Sequence, residues 1–446
     1  MKNTITTYFK ANASSSSLAL FRVLFGLQML FSLVRFWSKG WIETVYNEPI
    51  LHFKYYGFGW IISLGEYNYV LFLICILSAS LITLGYKYKF SIILFFISFT
   101  YIQLIDKTTY LNHYYFISII SFILIFLPAN CRFSLDSLNK QLIYNEVPRW
   151  NIDIIKFMIV IVYFYAGLAK INSDWLLEAM PLSLWLPTKY DLPIIGAIVS
   201  EQWLAYIMSW GGMLFDISIG FLLLSKSFKH YAYVLVFFFH SLTAIFFPKI
   251  GMFPYIMITL TIIFLDPKIH EKILCKFTSL FGFKSQHTNR VLINNNKYII
   301  VFLSFILCIQ LLLPLRHLFY NSNLFWSEEG YRFSWRVMLI EKTGSSIFTV
   351  TDKNSNKRIV VNNELFLTPF QESKMSFQPD MILEYAHFLG EHYKDLGFIN
   401  PKITVDSFVT LNGRLSTRFV KQNVDLLMLK DNLKGYDWIT TFKDEI

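Results

Sequence analysis

The chain has 446 residues, of which 54% are hydrophobic, 18% aromatic and 16% charged. An ordinary soluble domain has roughly 25% charged residues, so this composition indicates a membrane protein. The formal net charge of +10 does not indicate nucleic-acid binding, because the Lys and Arg residues lie between apolar segments and form no continuous basic stripe.

Nine apolar segments predict membrane spans, since about 17 to 25 such residues cross the hydrocarbon core. The third, fourth and eighth are shorter and are expected to be tilted or partly re-entrant. The predicted fold is an all-α polytopic membrane helix bundle, residues 1–315, followed by a C-terminal extracytoplasmic α+β domain, residues 316–446. The nine segments are residues 18–36, 68–85, 90–105, 114–128, 153–169, 203–224, 231–247, 251–265 and 298–315.

The distribution of basic residues predicts the orientation. With the N-terminus in the cytoplasm, the inner segments hold fifteen Lys and Arg residues and the outer loops hold six. The C-terminal domain is therefore predicted outside the cytoplasm. Lys170, Asn112-His113 and His240 all fall toward that outer side.

The tail shows mixed secondary-structure patterns. FSWRVMLIE (333–341) and SSIFTVTDKNSNKRIVV (345–361) are predicted as strands, with a turn over 352–357. PDMILEYAHFLGEHYKDLG is predicted as a helix, with Pro379 in its first turn and Gly397 at its end. KITVDSFVTLNGRLSTRFV is predicted as a hairpin that turns at Asn412-Gly413.

Lys170 follows the apolar run IVYFYAGLA and is the first candidate for chemistry. A lysine at the end of a span usually extends its ammonium to the membrane interface, and its position alone favours that interpretation. A catalytic base would instead need a buried, neutral amine.

Three further polar groups lie in or beside predicted spans. Asn112 and His113 stand at the start of the fourth span, where a lone histidine is more often structural. Asp216 lies within the sixth span, where a carboxylate needs a partner. It is expected either to serve function or to join helices.

His240 and the segment IGMFPYIM (250–257) supply an imidazole, a proline break, two methionines and two aromatic rings. These groups suit a quinone pocket. The alternative is that they contact lipid or the protein core. The sequence contains no nucleotide-binding loop, zinc-spaced His/Cys set or nucleophile elbow.

The chain resembles the vitamin K-dependent gamma-glutamyl carboxylases and their bacterial HTTM-domain relatives along nearly its whole length. The resemblance rests on eight blocks in the family's order: FRVLFGLQML, IDKTTYLNHYYF, ANCRFSLDSL, VYFYAGLAKINSDWL, GGMLFDISIGFLLL, FHSLTAIFFPKIGMFPYIM, LLLPLRHLFYNSNLFWSEEGYRFSW and QPDMILEYAHFL. Family enzymes oxygenate a reduced naphthoquinone to its epoxide, and the strong base formed on the way removes a glutamate γ-proton before CO2 adds.

The resemblance implies a role for each matched residue. Lys170 corresponds to the lysine that deprotonates the hydroquinone, although the first lysine of the family's usual pair is Ala169 here. Asn112 and His113 match positions that contact the quinone oxygen. Phe253, Met257 and, more loosely, Met338 match the naphthoquinone pocket, to which His240 is added. The residues that match positions near the glutamate substrate are His317, Trp326, Tyr331 and Trp335.

Two departures limit what the resemblance implies. Ile340 and Lys342 stand where animal enzymes carry a histidine and an arginine, and no cysteine follows Cys308. The sequence thus predicts a gamma-carboxylase-like enzyme. The alternatives are a quinone epoxidase without carboxylation and a non-enzymatic membrane receptor or scaffold.

The expected reactants are reduced vitamin K or menaquinone, O2 and CO2, with no metal. The expected partners are membrane lipid, quinone and an exported glutamate-containing polypeptide, with no nucleic acid. The expected location is a bacterial cytoplasmic membrane.

Overall fold

Helices lie at all nine positions that the apolar segments predict. The computed structural model describes residues 7–139, 143–193, 196–280, 290–292, 296–431 and 435–443. The longer helices are α1 (Ser15–Ser38), α2 (Tyr67–Leu84), α3 (Tyr88–Ile105), α4 (Asn112–Phe126), α5 (Trp150–Ala169), α6 (Gln202–Leu224), α7 (Lys229–Phe246), α8 (Phe253–Leu260), α9 (Pro267–Leu280), α10 (Lys297–Leu312) and, in the tail, α11 (Pro369–Met375) and α12 (Pro379–Asp395).

Short helical turns connect these helices. They are Glu43–Asn47, Lys107–Thr109, Leu135–Asn139, Ser173–Leu176, Leu182–Trp185, Pro187–Lys189, Gly196–Val199, Pro248–Ile250, Thr261–Phe264, Leu313–Phe319, Leu324–Ser327, Asn363–Leu365 and Leu426–Met428. The strands are β1 (Asn12–Ser14), β2 (Glu146–Pro148), β3 (Lys342–Asp352), β4 (Arg358–Val360), β5 (Pro401–Leu411) and β6 (Thr417–Arg418).

Six of the described helices are long and apolar enough to cross a membrane: α1, α2, α3, α5, α6, and α10 with the turn that continues it. Helix α4 has 15 residues and α8 has 8, so both are shorter than a full span. Helix α7 begins with Lys229 and His230 and carries His240, which reduces its hydropathy. The number of crossings and the orientation therefore stay predictions.

The tail contains a four-stranded antiparallel sheet in the order β4-β3-β5-β6. Strands β3 and β5 pair over their whole length, from Lys342 opposite Leu411 to Asp352 opposite Pro401. Helix α12 packs on this sheet, and its start at Pro379 confirms the predicted helix. The 352–357 turn is also confirmed, because β3 ends at Asp352 and β4 begins after it.

The hairpin after α12 turns at Asn412-Gly413, as predicted. Both residues have positive φ, 49° and 78°, and Arg414 N donates to Leu411 O at 3.1 Å. This is the turn geometry that the Asn-Gly pair favours. Strand β6 is shorter than predicted, since only Thr417 and Arg418 belong to it.

The predicted strand over 333–341 is wrong. Phe333, Trp335 and Met338 have φ between 55° and 59°, which breaks the pleat of a strand, and the first strand of the sheet begins only at Lys342. The alternating apolar residues instead enter the membrane bundle, where the Trp335 ring stacks on Tyr115 at 5.0 Å. Residues 330–341 are called the wall segment below.

Buried ion pairs join the tail to the loop between α3 and α4. Lys107 Nζ lies 2.8 Å from Asp380 and 2.9 Å from Glu384, and Arg332 Nη1 lies 2.7 Å from Asp380. Burial alone would raise the pKa of Asp380, but the two cations outweigh it and hold that pKa well below its usual range. These pairs fix the wall segment and α12 against the bundle.

Candidate functional site

Lys170 caps the C-terminal end of α5 and is buried, with 6% of its surface exposed. Its Nζ lies 2.7 Å from Asp216 Oδ2 on α6 and 5.2 Å from the centre of the Trp175 ring. The interface anchor is therefore excluded, because the amine does not reach water or headgroups. Asp216 has the partner that its position in a span requires.

A glycine allows this pair to form. A Cβ on Gly167 would lie 2.5 Å from the backbone N of Ile217, so only glycine lets α5 and α6 approach this closely. Ile217 follows Asp216 directly, and Gly167 stands three residues before Lys170. The close crossing thus places carboxylate and amine within hydrogen-bond distance.

The pair faces an apolar chamber of about 80 Å³. His240 enters it from α7 and its Nε2 is hydrogen-bonded to the Tyr163 hydroxyl at 2.9 Å, while its Nδ1 has no hydrogen-bond partner among the described residues. Apart from Thr243, the remaining lining is apolar or aromatic and includes Trp175, Met208, Phe239, Phe247 and Phe253. This chamber brings Lys170, Asp216 and His240 together in a largely apolar space.

A second, polar chamber of about 240 Å³ lies beside it. Asn112 begins α4 there, and its Nδ2 donates to the backbone O of Arg336 at 2.6 Å. His113 also lines this chamber and is buried. Tyr331 lines it from the wall segment. The sequence-predicted groups are thus divided between two spaces.

The two chambers share one wall, formed by Ile250, Phe253, Val337 and Met338. The Phe253 ring centre lies 6.1 Å from that of His113 and 5.8 Å from that of His240. Pro254 in the first turn of α8 and Gly251 before it, with φ of 72°, place this ring at the wall. Side chains of this wall, among them the flexible Met338, therefore separate the two chambers.

Arg336 is a site residue that the sequence analysis missed. It is 6% exposed, lines the polar chamber, and has no carboxylate within 4 Å among the described residues. Its Nε is buried without a hydrogen-bond partner, and burial lowers the pKa of Arg336 to about 10. Its Nη atoms contact only neutral groups, Ser334 O at 3.5 Å and His317 Nδ1 at 3.1 Å, and a buried guanidinium without a carboxylate is costly, which suits a site that receives an anion. The sequence analysis missed Arg336 because it predicted residues 333–341 as a strand of the tail sheet.

His317 lies beside this guanidinium, with Nδ1 3.1 Å from Arg336 Nη2. His317 itself and three other predicted substrate and quinone positions, Trp326, Trp335 and Met257, line neither chamber. Trp326 belongs to the tail core and its Nε1 donates to Thr440 O at 2.8 Å. Trp335 and Met257 belong to the core of the bundle. Their assigned roles stay predictions.

The departures from the animal pattern have a structural counterpart. Lys342 Nζ donates to Trp326 O at 2.6 Å and pairs with Glu328 at 2.9 Å, so it is engaged inside the tail. Ile340 packs against the apolar cores and offers no polar group. Neither residue lines the polar chamber.

The fold and the site together define an integral membrane protein with an extracytoplasmic domain, in which a buried amine-carboxylate pair lies close to their junction. Residues 10–268 match the HTTM domain, and residues 295–445 match the vitamin K-dependent gamma-carboxylase lumenal domain. The chain belongs to the vitamin K-dependent gamma-carboxylase family. No solved structure matches it.

Proposed function

We propose that the protein couples oxidation of a reduced naphthoquinone to its epoxide with gamma-carboxylation of glutamate. The observation that carries the proposal is the buried Lys170-Asp216 pair, which faces an apolar chamber next to a polar one with an unpaired guanidinium. O2 and CO2 are the other reactants. Bound reduced naphthoquinone supplies, on oxidation by O2, the strong base that removes the γ-proton.

Lys170 is the group that takes the hydroquinone proton. At 2.7 Å from Asp216 it can pass its own proton to the carboxylate, which leaves a neutral amine and a neutral acid. A dry site favours this exchange, because two charges vanish from a low-dielectric region. Asp216 then acts as the proton store that prepares Lys170 as a base.

The lining residues fit an aromatic ligand. Trp175, Phe253 and Met338 give the flat and adaptable walls that suit a fused ring, and His240 adds a polar edge. Ligand pockets usually hold roughly 300–1,000 Å³, so the apolar chamber alone is too small. Opening of the Phe253-Met338 wall into the neighbouring chamber would supply the missing volume.

The polar chamber holds the glutamate side chain in this proposal. Arg336 pairs with the γ-carboxylate, and His113 and Asn112 line the same chamber, where Asn112 donates to the Arg336 backbone O. Lys107 and Arg332 also line the chamber but already pair with Asp380, and Lys374 is the other cation in its wall. Because the animal histidine and arginine positions are Ile340 and Lys342 here, we assign substrate recognition to Arg336. Without that role, the same site would support epoxidation only, which is the second candidate function.

We further propose a bacterial cytoplasmic membrane as the location, with the N-terminus inside and the tail outside. The excess of Lys and Arg on the predicted inner side supports this orientation. An exported polypeptide would then meet the polar chamber from outside. A non-enzymatic receptor would need neither the buried amine nor the unpaired guanidinium.

The test uses purified protein with reduced menaquinone and O2, with epoxide measured by chromatography. Lys39 provides a matched control, because it is also the residue that caps a membrane helix, α1, but is exposed. Lys170→Ala is expected to abolish epoxide formation and Lys39→Ala to preserve it. Equal epoxide from wild type and Lys170→Ala would refute the assignment of the base.

A further inference from the structure

A groove of about 350 Å³ lies at the other end of the bundle from the candidate site. It is formed by the first turns of α5, the end of α6, the first half of α10 and the N-terminal residues Tyr8 and Phe9. Along the axis of α5, Lys170 lies about 30 Å from Trp150 and about 20 Å from Phe157, the groove residues at the two ends of its α5 side. The groove is therefore independent of the proposed chemistry.

The polar side of the groove carries an excess of donors. Arg149 Nε and the Tyr8 hydroxyl each lie 3.0 Å from Asp153 Oδ2, so this carboxylate is already engaged. Lys156 has no carboxylate within 4 Å among the described residues, and its Nζ lies 5.6 Å from the Phe264 ring centre. Two cations against one carboxylate leave a net charge of +1.

Trp150 gives an independent indication of a ligand. It lines the groove, is only 7% exposed, and its Nε1 has no hydrogen-bond partner among the described residues. A buried indole N–H without an acceptor costs free energy, so an acceptor brought by a ligand would be stabilised there. Together with the Lys156 ammonium, which has no carboxylate within 4 Å among the described residues, it favours an anionic ligand rich in acceptors.

The opposite side of the groove is apolar. Helix α10 supplies Ile300, Leu303 and Leu307, and α5 supplies Phe157. Only 17% of the most apolar window of the α10 span is buried, so most of this apolar helix is exposed on the outside of the bundle. Lys156 lies six residues after Trp150, about 9 Å further along the helix axis. Its extended side chain can bring the ammonium to the level of the lipid headgroups.

We propose that this groove binds one anionic glycerophospholipid. Its headgroup phosphate accepts hydrogen bonds from Trp150 Nε1–H, Lys156 and Arg149, and an acyl chain lies along α10. The positive charge selects an anionic over a zwitterionic headgroup, and the apolar wall selects a lipid over a free phosphate ester. The quinone carries no charge and does not fit this pattern.

The test is native mass spectrometry of the delipidated full-length protein, titrated with dioleoyl-phosphatidylglycerol or dioleoyl-phosphatidylcholine. Phosphatidylglycerol is expected to bind more tightly by roughly tenfold, the factor expected for one additional charge-assisted contact. Lys156→Gln is expected to remove that difference. Trp150→Phe, which keeps the ring and removes the N–H, is expected to weaken binding about fivefold.

Lys226→Gln is the matched control, because this exposed lysine lies at the same end of the bundle but not in the groove. It is expected to bind phosphatidylglycerol as the wild type does. Equal binding of the two lipids, or unchanged binding by both groove variants, would overturn the proposal. Binding of sn-glycerol 3-phosphate as tightly as the lipid would overturn the assignment to a lipid.

Discussion

Replacement of Asp216 by asparagine is the most informative perturbation of the buried pair. The amide keeps the shape of the carboxylate but can neither balance the Lys170 charge nor take its proton. At the observed 2.7 Å, two unit charges attract by about 6 kcal/mol with an effective dielectric constant of 20. Part of this is recovered when the amine loses its proton, so we expect the free energy of unfolding to fall by about 3–5 kcal/mol.

Two assays separate the structural from the chemical effect. Unfolding by SDS in mixed micelles gives the loss of stability, and epoxide formation gives the loss of activity. Asp216→Asn is expected to reduce the epoxidation rate by roughly 100-fold, the lower range for a positioned acid or base, because Lys170 loses the group that holds it in place and accepts its proton in each turnover.

The double variant Asp216→Asn with Lys170→Met should recover stability, because no unpaired charge remains, but not activity. The reasoning would be refuted if Asp216→Asn kept the wild-type epoxidation rate and an unfolding free energy within about 1 kcal/mol of wild type.

Three further predictions concern other parts of the structure. Arg336→Gln is expected to raise the KM for a glutamate peptide roughly 100-fold, the effect of losing a charge-assisted contact, while the epoxidation rate changes little. Arg418→Gln in the tail is the control, and equal KM values for Arg336→Gln and wild type would contradict the carboxylate role. Asp380→Asn leaves two buried cations without their shared partner and should cost about 3–5 kcal/mol of unfolding free energy. Because the folded-state pKa of Asp380 is depressed, its contribution to the free energy of unfolding is present above about pH 4 and is lost as the pH falls further. Equal acid sensitivity of Asp380→Asn and wild type would contradict this expectation. Gly167→Ala should lower the free energy of unfolding by about 1–3 kcal/mol and reduce the epoxidation rate, because the added methyl group displaces Lys170 from Asp216. An unchanged free energy of unfolding and an unchanged epoxidation rate would show that α5 and α6 need no glycine there.

The membrane helices were predictable because apolar length is a strong pattern, and their ends differ from the prediction by a few residues. The helix from Pro379 and the turn at Asn412-Gly413 were predictable from local chemistry, since proline and glycine restrict or free φ directly. The number of crossings was less certain, because α4, α7 and α8 are short or carry polar residues. Composition alone cannot decide whether such helices cross.

The wall segment shows where sequence patterns are insufficient. FSWRVMLIE alternates as a strand does, yet three of its residues adopt positive φ and the segment packs into the bundle. That placement depends on contacts with Tyr115 and Asn112, more than 200 residues away in the chain. The burial and ion pairing of Lys170 likewise depend on the crossing of two helices, which a single span does not reveal.

The coupling of the two half-reactions is the central claim, and one reaction measures it directly. Purified protein receives reduced menaquinone, O2, CO2 and a glutamate-containing peptide, and epoxide is measured together with a peptide mass increase of about 44 Da, the mass of the CO2 that the proposed reaction adds. The wild type is predicted to form both products, Lys170→Ala neither, and Arg336→Gln mainly epoxide. Epoxide without any mass increase in the wild type would contradict coupled carboxylation and leave the epoxidase as the remaining function.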